Sequence, residues 1–195
     1  MTETEAFAIN WPLNGTYRGE GAINGSAVDR ITASFDLMAA LVKGIDLNDA
    51  LTRVAEGARE IAAARLVFIA LPGTAVNTLT VGLAVGADAD RVLGMTVRSS
   101  SSVLGRVFSS RRAIASRVAG STSRTTGGFA DTGLPPGPIL LLPLDTGEAT
   151  RGVLAVAGHQ ADLPYSASLR RQLSLFASMS ANLIELAEER RAARR

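Results

Sequence analysis

The segment PGPILLLPLDTGEATRGVLAVAG, residues 136–158, holds two apolar runs about a polar turn. Ile139 to Leu144 and Gly152 to Ala157 are apolar on successive residues, while Asp145 to Thr150 between them carries the Asp, Thr and Gly of a turn. A strand that alternated apolar with polar residues would have one wet face. These two do not alternate, so they predict strands covered on both faces, in a sheet with layers above and below it.

Working outward, the flanking segments supply those layers. Val103 to Ser110 predicts a short helix capped by Ser101 or Ser102, and Ile114 to Val118 a strand. Further upstream, Leu66 to Leu71 is a short apolar run stopped by Pro72-Gly73, Thr78 to Val85 is a second strand at hairpin distance, and Met95 to Arg98 a third, short one. Leu47, Leu51, Val54, Ala58 and Ile61 recur at helical spacing behind Asp46 as N-cap, and Val28, Ile31, Phe35, Met38, Leu41 and Val42 do the same in a helix ending at Gly44. Residues 1–25 have neither period and are expected to be a flexible leader, leaving 26–195 as one domain. Between Ser121 and Gly137 lies a Ser-, Thr-, Gly- and Pro-rich loop of a length that goes with function or disorder. Ser166 to Arg195 closes the chain as a helix about 45 Å long at 1.5 Å per residue.

Composition removes several function classes. The 195-residue chain has no cysteine, which excludes disulfides, thiolate metal sites and cysteine nucleophiles. It has no apolar run long enough to span a membrane and no signal-peptide pattern at its start, so a cytoplasmic location is expected. Net charge is only +2, yet no acidic residue occurs between Asp90 and Asp131, where Arg91, Arg98, Arg106, Arg111, Arg112, Arg117 and Arg124 all lie.

The order of helices and strands resembles that of a GAF domain, a sensory and regulatory fold. ALTRVAEGAREIAAARLVFIALP, residues 50–72, is similar to the family's opening helix and first strand. VLGMTVRSSSSVLGRVFSSRRAIAS, residues 92–116, resembles its "G-x-x-x-P, small residues, G-x-V-F-x-x-x-x-P" segment, with Arg98 and Ala113 where prolines are usual. The 136–158 hairpin resembles the "P-L-x-x-x-x-x-x-G-V-L-x-V" pair, and Ser166-Ala167-Ser168 stands where the acidic cap of the last helix is usual. Over GPILLLPL and LSLFASMSANLIELAEERR the likeness is to the second GAF domain of mycobacterial DevS/DosS-type sensor histidine kinases. The implied fold is of the α/β (α+β) class, a central, mostly antiparallel sheet of about five to six strands with helices on both faces. The implied role is regulatory, in a two-component system, with signal transmitted through terminal helices in a homodimer. No phosphoacceptor box or Gly-rich ATP-binding segment is present, so the chain itself is expected not to be an enzyme, and its partner would be a kinase module in a longer protein.

Candidate sites follow from residues and resemblance together. The family's usual ligand pocket would be lined by Val81, Leu83, Val97, Leu104, Val107, Phe108 and Leu142; the same residues would equally fill a ligand-free core. Ser101 and Ser102 at a helix N-terminus, with Arg98 and Arg106 nearby, are candidate anion contacts, against a plain solvated basic face. A small anionic or apolar ligand is thus the alternative function. The lone His159 follows the last strand and is read as a turn residue; the haem-binding histidine of related domains would lie in GGFADTGLPPGP, which has none, so neither haem nor another cofactor nor a metal is expected. No Gly-x-Ser-x-Gly elbow surrounds a serine, and the basic stretch lacks the aromatic interleaving of nucleic-acid binders. In the closing helix, Leu169, Leu173, Phe176, Ser180, Leu183 and Ala187 keep four-three spacing, and Leu175, Met179, Asn182 and Leu186 form a second stripe. Leu169, Leu173, Phe176, Leu183 and Leu186 are the expected dimer contacts.

Overall fold

The structure, a computed structural model, describes residues 46–118, 134, 136–159 and 161–194. The expected leader 1–25, the helix expected at 26–44 and nearly all of the 121–137 loop lie outside the described residues. The described elements are α1 (Leu47–Ile61), β1 (Ala64–Pro72), β2 (Thr78–Gly86), α2 (Ala89–Val92), β3 (Thr96–Arg98), α3 (Val103–Ser110), β4 (Ile114–Val118), β5 (Gly137–Asp145), β6 (Thr150–His159) and α4 (Ala167–Ala193). The one-turn α2, which follows Asp88 in the left-handed region at φ 66°, adds to the expected order.

The six strands form one sheet in the order β3-β2-β1-β6-β5-β4, antiparallel throughout. The central strands β1 and β6 are buried along nearly their whole length, which is why their sequences do not alternate. One face carries Val67, Ile69, Leu140, Leu142, Leu154 and Val156 under α1 and α4; the other carries Leu66, Phe68, Leu141, Val153 and Ala155 under α2 and α3. Each large side chain so buried contributes about 1.5–3 kcal/mol relative to exposure.

Local chemistry sets the helix ends. Ser102 Oγ accepts from Gly105 N at 3.0 Å to cap α3, and Ser166 Oγ accepts from Leu169 N at 3.2 Å to cap α4. α3 stops at Arg111, which takes the left-handed conformation (φ 58°) and closes the helix with its N–H on the Val107 carbonyl. Gly57 of α1 lies beside the Phe176 ring of α4, where an added Cβ would stand 3.1 Å from Cε1.

Candidate functional site

The seven residues expected to line one pocket lie on two faces of the sheet. Val81, Leu104 and Val107 are buried in the α3 face, and Val97 and Phe108 pack against them. Leu83 and Leu142 point the other way, into the core under α1 and α4. The reason for Leu83 is a β-bulge. Ile69 pairs with Leu83 but the next residue, Ala70, pairs with Val81, so Gly82 is an extra residue in β2 and reverses the side-chain alternation. Leu142 pairs with Leu154, whose side chain also faces the helix pair. A groove of about 320 Å³ opens there, between β4, β5 and the start of α4, with Ala113, Ala115, Leu140 and Leu142 along it and Arg170 and Arg171 at its rim. The α3 side therefore keeps five of the expected residues, and Leu83 and Leu142 belong to the opposite layer.

Of the expected anion contacts, Arg98, Ser101 and Arg106 are exposed, and Ser102 is half-buried with its hydroxyl oxygen committed to the Gly105 amide. Other arginines of the acid-free stretch are paired with acids, Arg91 with a near neighbour and Arg111 and Arg117 with distant ones. Arg91 meets Asp88 at 3.4 Å, Arg117 grips both carboxylate oxygens of Asp162 at 2.9 Å, and Arg111 forms a two-pronged pair with Asp145. Among the described residues Arg98, Arg106 and Arg112 have no ion-pair partner.

A dense polar cluster sits at the β5–β6 turn. Arg111 donates from Nε to Asp145 Oδ2 (3.0 Å), and from Nη2 to Asp145 Oδ1 (2.6 Å) and to the Gly147 carbonyl (2.7 Å); Gly147 N in turn donates to Asp145 Oδ1 at 2.9 Å. The Arg111 hydrogen bond, then the Gly147 amide, hold the Asp145 carboxyl below its ordinary range. One residue on, Thr146 Oγ1 donates to Glu185 Oε1 at 3.1 Å. Arg151 adds a bond from Nη2 to the same oxygen at 2.7 Å and one from Nη1 to Glu188 Oε2 at 2.8 Å. Arg151 is itself the extra residue of a second bulge, because Leu144 pairs with Gly152 and Asp145 with Thr150. The Arg151 hydrogen bond lowers Glu185, whereas burial raises Glu188 in spite of the same arginine. Sequence reading missed Asp145, Arg151, Glu185 and Glu188 as a group, since nothing local in the sequence joins residues 34 to 37 apart.

In α4 the expected dimer stripe is corrected in part. Leu173 and Leu183 are 0% exposed inside the core, together with Ala177, Ser180, Ala181 and Ile184. Leu169, Phe176 and Leu186 are half-buried against the same core. The four-three stripe covers the sheet, so Leu173 and Leu183 are unavailable to a second chain. From the second stripe Leu175 is 69% exposed and Asn182 is exposed, while Met179 and Leu186 are half-buried.

His159 ends β6, accepts from Ala161 N at Nδ1 (3.1 Å) and meets the Tyr165 ring edge-on at 5.9 Å. Tyr165 is buried with its hydroxyl unpartnered, and that burial raises its pKa. Among the described residues no group of three His, Cys, Asp or Glu side chains could hold a metal ion, and no helix is long and apolar enough to cross a membrane.

The family model described as a GAF domain matches residues 44–185. Several solved structures are similar. The GAF-B domain of DevS from Mycobacterium smegmatis is 23% identical, with 76% of this chain and 99% of that one covered at a TM-score of 0.58. The GAF domain of a phosphoenolpyruvate-protein phosphotransferase from Coxiella burnetii is 13% identical over 86% of this chain and 99% of its own, at 0.67. That of a two-component sensor histidine kinase from Bacillus halodurans is 17% identical over 74% and 97%, at 0.60. At such identities the likeness is one of fold. No curated protein matches the chain in sequence.

Proposed function

The chain belongs to the GAF domain family, whose members are regulatory and sensory rather than catalytic, and from that premise we propose that it serves a cytoplasmic two-component sensor histidine kinase, passing a signal through its terminal helices as a homodimer. The observation that carries this reading is the split of α4 into two surfaces. Its Leu173, Ala177, Ala181 and Ile184 side is sealed against the sheet, while Leu175 stands 69% exposed on a different side of the same helix. That outward side, which the sheet leaves uncovered, is the one this reading gives to a second helix. Arg190 and Arg191 in the last turn favour the negative end of the helix dipole and keep that end stable where a kinase module would follow.

Sedimentation velocity over a concentration series tests the reading. A monomer–dimer equilibrium is expected; a chain that stays monomeric at the highest concentration overturns it.

A second reading, a receptor domain for a small anionic or apolar ligand, draws on the exposed Arg98 and Arg106 at the rim of the α3 layer. Thermal shift against a panel of small anions separates the two, because a site filled at about 100 times Kd adds about 2.7 kcal/mol of stability.

A further inference from the structure

Two helices on opposite faces of the sheet are tied to one turn. α3 reaches it through its C-cap, since Arg111 holds both oxygens of Asp145 and the carbonyl of Gly147. α4 reaches it through Glu185, whose Oε1 receives both Thr146 Oγ1 and Arg151 Nη2, and through Glu188, which receives Arg151 Nη1. Asp145 and Thr146 are adjacent in the chain, and their side chains bond to Arg111 after α3 and to Glu185 of α4 respectively. The turn is braced internally: Thr146 N donates to the Ala149 carbonyl at 3.1 Å and Gly147 N to Asp145 Oδ1 at 2.9 Å. A braced turn gripped from both faces moves as a unit, so it cannot follow one helix without pulling on the other.

We infer that the Asp145–Thr150 turn is a mechanical link by which a displacement of the C-terminal end of α3 reaches the Glu185–Glu188 segment of α4. The α3 layer packs on the sheet's other face, where a ligand of the receptor type would act, and α4 is the helix that meets the partner. The regulatory meaning of the link rests on the reading of α4 as the output helix. The coupling itself does not, and can be measured in the chain alone. Arg117 and Asp162 supply an internal comparison, because they form an exposed pair, Nη1 to both carboxylate oxygens and Nη2 to the Asp162 carbonyl, that bonds to no residue of the turn.

The experiment is hydrogen exchange on the full chain carrying Arg111→Gln, with Asp145→Asn as a second variant and Arg117→Gln as the comparison. Exchange of residues 183–190 is expressed relative to the β1 and β6 amides, which open only with the whole fold. Loss of the Arg111 pair is expected to raise that ratio about two- to fivefold, the range in which single exposed ion pairs act, while Arg117→Gln leaves it unchanged. A ratio unaltered in both Arg111→Gln and Asp145→Asn, or one raised as much by Arg117→Gln, overturns the link. Sedimentation of the same samples keeps the two readings apart: an intact dimer with no coupling removes the link only, and a monomer with coupling removes the dimer only.

Discussion

Gly105 sits so close to the Ser99 carbonyl that a Cβ on Gly105 would overlap that oxygen. The same glycine gives its amide to Ser102 Oγ, so α3 begins where a serine loop folds back across its first turn. Alanine is the better helix former by about 0.5–1 kcal/mol, but here the obstacle is backbone and cannot turn aside. Gly105→Ala is expected to lower stability by about 1–3 kcal/mol, read from the urea midpoint. An unchanged or raised midpoint would show that the loop is free to lift off the helix.

Gly57 tests the opposite case. Its added Cβ would stand 3.1 Å from Cε1 of Phe176, a side chain at the partly buried edge of the core that can yield a little. The helix gain and the contact cost oppose each other, so Gly57→Ala is expected to stay within about 1 kcal/mol of the parent. Gly57→Leu, which cannot fit beside the ring, is expected to destabilise clearly, and Phe176→Ala in the same chain to return part of the loss. Additive losses in that double-mutant cycle would count against the contact.

Glu185 and Glu188 share Arg151 yet shift in opposite directions. The arginine's hydrogen bond, with help from Thr146, lowers Glu185, so its stabilisation is present above the unfolded pKa and is lost as pH falls through the folded one. Burial raises Glu188, so its charged form is penalised in the fold and the penalty is relieved as pH falls through the raised value. Carboxyl NMR titration is expected to protonate Glu188 first as pH falls, with Glu188 above and Glu185 below the ordinary glutamate range. Arg151→Gln should move both upward, because each loses the same attractive charge. A Glu185 midpoint indifferent to that change would contradict the geometry.

What the sequence discloses divides by range. The cap of α3, narrowed to Ser101 or Ser102, the helix stripe from Leu47 to Ala58 and the unalternating runs of β5 and β6 depend on neighbours a few residues away, and all are legible. The faces of Val81 and Leu83 are not. Two-residue spacing puts them together, and only the pairing of β2 with β1 reveals that Gly82 is inserted between them. The stripe in α4 is ambiguous for another reason: four-three spacing serves a sheet as well as a partner helix, and the choice is made by what lies across from it. The ion pairs of Arg111 and Arg151 depend on the turn bringing distant segments together, which no local pattern encodes.

Leu173 and Leu175 are two residues apart on α4 and face different surroundings, 0% and 69% exposed. Leu173→Ala leaves a hole against the sheet and is expected to cost about 2–5 kcal/mol. Leu175→Glu removes nothing from the core, so the stability of the single chain should stay within about 0.5 kcal/mol. Its effect belongs to association. A dimer that forms only from folded chains makes the unfolding midpoint rise with protein concentration, and Leu175→Glu is expected to abolish that dependence along with the faster-sedimenting species. If Leu175→Glu instead destabilises as much as Leu173→Ala at every concentration, Leu175 is a core residue and α4 has one apolar surface, not two. If the concentration dependence survives the charge, the dimer contact lies away from Leu175, and the exposed side of α4 loses its role in pairing.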